Sequence, residues 1–278
     1  MLRGLTSAGL GAIEHEGRLI ELASQFGFQT VDLDVLSLTE RCSVEGARQL
    51  LESNGVIVGS FGLPVEWRAS EEQFLQDFQK LTAYAAAAKA VGCTRCCTYI
   101  LPSTDQKSAH FMAIATRRLR YCAQLLNIYG IRLGLEFVGP HHLRTRWQHP
   151  FIWTMEETVA LIQAIGENNV GLLLDTYHWY TTGMNVADIE SLRAEQIVHV
   201  HINDAPNVPV EEVIDNERIY PGEGVIDLTG FLRGLRTIGY NGAVSQEVLN
   251  GQAPSESPLQ LAQRSKTAFN RVFTAAGL

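Results

Sequence analysis

Four ionisable residues stand at or near the ends of four consecutive apolar runs. They are Glu136 closing IRLGLEF, Asp175 closing VGLLLD, His201 within QIVHVHIND and Glu247 closing AVSQE. Three carboxylates and an imidazole form a donor set for one divalent cation such as Mn²⁺, Zn²⁺, Co²⁺ or Mg²⁺. Brought together without an ion, the carboxylates would repel one another and raise each other's pKa values. Burying any of them unpaired at an apolar strand end is costly. Singly, each could be a capping or salt-bridged acid; four at successive strand ends point to a metal site. Strand alternation puts Glu136 on the face of Gly134, Asp175 with Gly171 and Leu173, and Glu247 with Ala243 and Ser245. Small residues on those faces suit a narrow interior.

Neighbouring residues invite similar chemistry, and pattern separates them. His199 precedes His201 by two positions, so it faces the same way one layer deeper. It reads as a hydrogen-bonded histidine rather than a ligand. Cys93-x-x-Cys96-Cys97 has no second CxxC, and Cys96 and Cys97 lie in the strand-like RCCTYI. Buried thiols fit better than a zinc or redox site. His141, His142 and His149 fall in a loop and read as solvated. Trp67, in GLPVEWR after the third strand, either walls a pocket or packs in the core.

Holding four strand ends around one point requires parallel strands joined by helices. Helical patterns stop at a glycine, and an apolar run follows, at Gly27, Gly55, Gly92, Gly130, Gly166 and Gly239. The spacings are 28, 37, 38, 36 and 73 residues, the last being two units of about 36. Glycine supplies the left-handed residue that ends a helix. QIVHVHIND fills the double gap and Leu2–Leu10 opens the chain, which makes eight strands. Between them, Met112, Ala115, Leu119, Cys122, Leu126 and Tyr129 follow helical spacing, as do Phe74, Phe78, Leu81, Ala85 and Ala88. Ser70-x-x-Gln73 and Thr154-x-x-Glu157 predict capping boxes. The expected fold is α/β, a single (β/α)8 TIM barrel over residues 1–278, with its active site at the C-terminal strand ends. A doubly wound open sheet is the alternative, but neither GxGxxG nor GxxxxGK[ST] occurs.

A net charge of −8 disfavours a nucleic-acid partner, and Arg117-Arg118-Arg120 reads as a solvated helix face. With 46% hydrophobic and 19% charged residues the chain is neither disordered nor coiled coil. Five cysteines, an odd number, fit a reducing compartment. No apolar run approaches 18 residues, and the first residues do not read as a signal peptide. The expectation is a cytoplasmic enzyme of small molecules with no membrane partner; a homo-oligomer is left open.

LEFVGP around Glu136, LLLDTYHWY around Asp175, HVHINDAP around His201, RIYPGEGVIDL around Arg218 and SQEV around Glu247 resemble the xylose-isomerase-like barrel superfamily of sugar isomerases and epimerases. Within it the sequence is most similar to the inosose isomerases, which interconvert keto-inositols. The resemblance covers most of residues 130–250; the first 100 residues match only in general pattern. It implies that Glu136, Asp175, His201 and Glu247 bind one divalent metal and that the catalytic Glu136 and Glu247 move protons. It also implies that His178 and Arg218 contact substrate. Asp204 falls at a polar position near them, and with Trp67 it completes the expected substrate-binding set.

The implied reaction is isomerisation or epimerisation of a keto-inositol or ketose, phosphorylated or not, by enediolate proton transfer. An inosose dehydratase-type lyase and a non-catalytic sugar-binding barrel are the alternatives. Phe137-Val138-Gly139 departs from the pattern of ketose 3-epimerases. SFGLP and TYILPS lack the histidines of the three-zinc endonuclease IV relatives.

Overall fold

The computed structural model describes all 278 residues. Eight parallel strands form a closed barrel: β1 (Leu2–Leu5), β2 (Thr30–Asp32), β3 (Ile57–Gly62), β4 (Arg95–Ile100), β5 (Arg132–Phe137), β6 (Val170–Asp175), β7 (Ile197–Ile202) and β8 (Ala243–Gln246). Each pairs with its successor in sequence, and β8 closes on β1. The outer ring is α1 (Glu16–Phe26), α2 (Val35–Asn54), α3 (Glu71–Ala90), α4 (Ser108–Ile128), α5 (Met155–Ile165), the short α6 (Val186–Glu190), α7 (Leu228–Thr237) and α8 (Pro258–Ala276). No helix is long and apolar enough to cross a membrane.

The six glycines that mark the repeat all adopt left-handed φ values between 62° and 79°. Side chains with a Cβ are strained there, so each glycine ends its helix and releases the chain toward the next strand. At the helix starts, Thr154 and Glu157 form the reciprocal box expected. Ser70 accepts from Gln73 N but receives no return bond. β1 is shorter than the sequence suggests, because Thr6 Oγ1 accepts from Ala8 N and turns the chain out of the sheet.

Packing follows the helical spacing. Phe74, Leu81, Ala85 and Ala88 of α3 are buried, as are Ala115, Leu119, Cys122 and Leu126 of α4. Inside the barrel, small residues make room for larger neighbours: a Cβ on Gly134 would lie 3.1 Å from Cys97 Sγ. Cys93, Cys96 and Cys122 are buried, and all five cysteines are free thiols. The arginine run on α4 is not simply a solvated face. Arg118 is buried and donates to the Trp67 and Ala69 carbonyls, while Arg120 donates to Ile165 O and Ala164 O at the end of α5. Helix ends leave carbonyls without partners, and a long arginine reaches them.

Candidate active site

Strand register brings the four ionisable residues together. Glu136 on β5 is level with Leu173 on β6; Asp175 is level with His201 on β7, and His201 with Ser245 on β8. Glu247 lies one residue beyond β8, where its backbone N still donates to Ile202 O at 3.1 Å. One potential ligand atom from each of Glu136, Asp175, His201 and Glu247 lies within 4.8 Å of the others. His201 Nδ1 stands 3.4 Å from Glu247 Oε2 and 3.6 Å from Glu136 Oε1.

Asp175 is held from both ends. Its Oδ1 accepts from Tyr177 N (2.7 Å) and His178 N (3.3 Å), capping the helix Thr176–Thr181. Its Oδ2 accepts from Asn203 Nδ2 (2.8 Å) and Arg218 Nη1 (3.0 Å). His178, brought in by the same turn, places Nε2 4.0 Å from Glu136 Oε1, and its Nδ1 accepts from Gly139 N at 3.2 Å.

The two glutamates are pushed apart electrostatically. Burial, with Glu247 adding to it, raises the Glu136 carboxyl above its usual range against the opposing pull of His201. Burial works against Glu247 too, but His201 and Arg218 beside it outweigh burial and hold its carboxyl well below the usual range. Burial disfavours the His201 imidazolium, yet Glu247, Asp32 and Glu136 raise its pKa well above the ordinary value. A pair of carboxyls whose environments drive them in opposite directions is the usual arrangement for acid–base work.

The cavity above the cluster has a volume of about 500 Å³. Its floor carries Asp32, Glu136, His201 and Glu247. Most of its wall comes from residues 60–66, Arg68, Cys97, Thr98 and Tyr99, in and after β3 and in β4. Trp67 does not line it. The indole is fully buried, stacks on Phe111 and donates to Thr98 Oγ1 at 3.1 Å, so the residue packs, and the next one, Arg68, reaches the cavity. Asp204 also turns away. It accepts from the backbone N–H groups of Ala205, Gly222, Gly224 and Ile226, and so clamps the PGEG loop. His141 and His142 lie in the short helix His141–Arg144, and His149 in a two-residue strand paired with Ser103–Thr104, apart from the cluster.

Asp32, at the end of β2, is a member the sequence reading did not include. Its Oδ2 is 2.7 Å from His199 Nε2 and 3.6 Å from His201 Nε2. Burial opposes its ionisation, but His199 and His201 hold it well below the usual range. Asp32 thus stands on the Nε2 side of His201, while Nδ1 faces Glu136 and Glu247. Gly59 makes the space: a Cβ there would lie 2.5 Å from Asp32 Oδ1. Alternation supplied a signal, since Asp32 shares a face with Thr30 at the end of a short apolar run.

Glu136 Oε1 and His201 Nδ1 are buried and have no hydrogen-bond partner. Unpartnered polar atoms in a carboxylate–imidazole cluster fit a divalent cation, and Glu136, Asp175, His201 and Glu247 are the residues that would hold it.

A family model described as xylose isomerase-like TIM barrel matches residues 20–268. Inosose isomerase of Bacillus velezensis is 33% identical over 142 residues, covering 50% of this chain and 46% of that protein. The chain spans about half the length of the curated relatives it matches. The structure of a xylose isomerase domain protein from Alicyclobacillus acidocaldarius superposes with a TM-score of 0.92 at 32% identity, covering 100% of both chains. The IOLI protein, whose structure has a bound zinc atom, superposes with a TM-score of 0.82 at 19% identity, again over 100% of both chains.

Proposed function

The chain belongs to the xylose isomerase-like TIM barrel family, and from that premise we propose that it is a divalent-metal-dependent isomerase or epimerase of an uncharged ketose or keto-inositol. The observation that carries this reading is the pair of unpartnered atoms, Glu136 Oε1 and His201 Nδ1, on the floor of a substrate-sized cavity that Glu247 also lines.

A divalent cation bound by the four residues would supply Lewis-acid stabilisation of charge developing on a carbonyl oxygen. The chain's own groups do the rest. Glu136, on β5, is placed to hold and exchange the proton alpha to the carbonyl. Glu247, kept ionised by His201 and Arg218, is the acceptor on another side of the cluster, since it comes from β8 rather than β5. Return of the proton to the neighbouring carbon gives isomerisation; return to the opposite face gives epimerisation. His178, buried with Nε2 4.0 Å from Glu136 Oε1 and 3.3 Å from Arg218 Nη2, supports these groups from behind the cavity floor.

The cavity wall argues for an uncharged substrate. Arg68 is its only arginine, and no lysine lines it. Arg68 is committed to Glu66, with Nε on Oε1 and Nη2 on Oε2, both at 2.8 Å. A phosphate ester would face Glu66, Asp77 and the acidic floor without a free bidentate donor.

The test is metal analysis of the purified protein, then turnover of ketoses, inososes and their phosphates in deuterated water. Deuterium on the carbon alpha to the carbonyl of an uncharged product is expected. Unlabelled product with full activity in both Glu→Gln variants would defeat the proton-transfer mechanism, and loss of water in the product would make the enzyme a dehydratase.

A further inference from the structure

The guanidinium of Arg218 is spent inside the protein. The side chain is 2% exposed. Nη1 donates to Asp175 Oδ2 at 3.0 Å and to Glu247 Oε2 at 2.8 Å; Nη2 donates to Asp215 Oδ1 at 2.9 Å, and Nε to Asp215 O at 3.2 Å. Those bonds use four of its five N–H groups. The fifth faces His178 Nε2 at 3.3 Å. Tyr177 covers one face, its ring centroid 5.1 Å from the guanidinium carbon, and is itself tied by its hydroxyl to Ile214 O at 2.6 Å. Little of this arginine is left to offer a substrate.

We propose that Arg218 is the internal counter-ion of the metal site: a positioning residue that neutralises Asp175 and Glu247 while no cation is bound, with Asp215 as its holder. The proposal rests on the metal reading above and deepens it. Asp175 Oδ2 and Glu247 Oε2 each lie within 3.0 Å of one nitrogen, so the same group holds both carboxylates converged. Without it, the buried Asp175 carboxylate and the half-buried Glu247 would converge with no cation between them, at a cost in repulsion. An arriving divalent cation takes over that neutralising role but must sit beside a fixed positive charge. Arg218 therefore stabilises the ion-free site more than the ion-bound one. It preassembles the ligands, and it limits how tightly the ion is held.

This differs in its readouts from a substrate contact and from a plain structural role. The variants are Arg218→Met, Arg218→Lys and Asp215→Asn, with Mn²⁺ as the probe. Thermal melting in EDTA and in excess Mn²⁺ is combined with calorimetric titration of Mn²⁺. Arg218→Met should melt much lower in EDTA but closer to wild type in Mn²⁺, so the shift on adding the ion grows. Its Kd for Mn²⁺ should tighten by about tenfold or more, because removing a nearby unit charge removes a strong repulsion. Arg218→Lys, which keeps the charge, should recover most of the stability in EDTA, and Asp215→Asn should fall between it and wild type.

Equal losses with and without Mn²⁺ would overturn the proposal, as would a Kd for Mn²⁺ that is unchanged or weaker in Arg218→Met. If Arg218→Met does not fold, Arg218→Lys and Asp215→Asn carry the same comparison. A wild-type protein that binds no Mn²⁺ or other divalent ion would instead remove the metal reading, while melting in EDTA would still report on the counter-ion.

Discussion

His201 Nδ1 and Glu136 Oε1 face each other at 3.6 Å, both buried and neither hydrogen-bonded. Asp175 beside them accepts four hydrogen bonds and Asp204 accepts four from backbone amides, whereas Asp32 Oδ1 and His199 Nδ1 are also without partners. The unmet atoms facing the cavity mark where an external partner belongs.

Asp175 serves the helix, the arginine and the proposed ion at once, so Asp175→Ala would confound three losses. Asp175→Asn retains an oxygen for the Tyr177 and His178 amides but presents an amide donor to Arg218 and Asn203. The expected result is a folded protein destabilised by about 1–3 kcal/mol, the usual cost of leaving buried donors unpaired. Elemental analysis should find its divalent-metal content well below that of wild type. Full metal occupancy in the folded variant would contradict the ligand assignment.

Glu136→Gln and Glu247→Gln keep side-chain size and one oxygen but remove the base. Turnover should fall by roughly 10²–10⁴-fold in each, the range for loss of general acid–base catalysis. The comparison should be made at metal contents matched by titration. Near wild-type rates in both would exclude these residues from proton transfer.

Asp32 acts on His201 from behind. Asp32→Asn removes a negative charge that lies 3.6 Å from His201 Nε2 and 2.7 Å from His199 Nε2. The affinity for Mn²⁺ should drop by about 10–100-fold, as for other supports of metal-ligating histidines. Turnover at saturating Mn²⁺ should recover much of the loss. An unchanged Kd would show that His199 and the strand backbone suffice to orient His201.

Burial pushes the thiols of Cys93 and Cys122 up to about 12 and that of Cys96 well above its ordinary value. A thiol raised in the folded state adds stability below its unfolded pKa, about 8.5, and that contribution is lost as pH rises toward the folded value. Alkylation at pH 8 should label Cys93, Cys96 and Cys122 only on unfolding, read by mass spectrometry. Stability should decline between about pH 9 and 12. A Cys93/Cys96/Cys97→Ser variant that folds should retain its metal. Rapid labelling of Cys96 in the native protein would show that strand β4 opens.

The barrel was legible because its signals are local and repeated: a left-handed glycine ends each helix, and an apolar strand follows. Glu136, Asp175, His201 and Glu247 were legible because strand alternation and position fix which side chains converge. What escaped depended on partners distant in sequence. Asp32 meets His199 across 167 residues, and nothing around QTVDLDV announces that partner. Asp204 was expected to meet substrate as a polar residue near the site, and Arg218 because the family resemblance implies it. Which neighbour satisfies a polar group is decided by loop geometry, and here PGEG and Asp215 had the prior claim. Trp67 and Arg68 are adjacent, and only the turn after β3 decides which of them reaches the cavity.

The floor and wall of the cavity come from different parts of the chain. Apart from Asp32, the floor is built by β5 to β8, while β3, β4 and the segment after β3 supply most of the wall. Mutations in residues 60–68 can therefore change which molecule fits while leaving the metal ligands untouched. Such a chain can explore new substrates without first losing its chemistry. A random library confined to residues 60–68 is the place to look for altered preference with turnover intact.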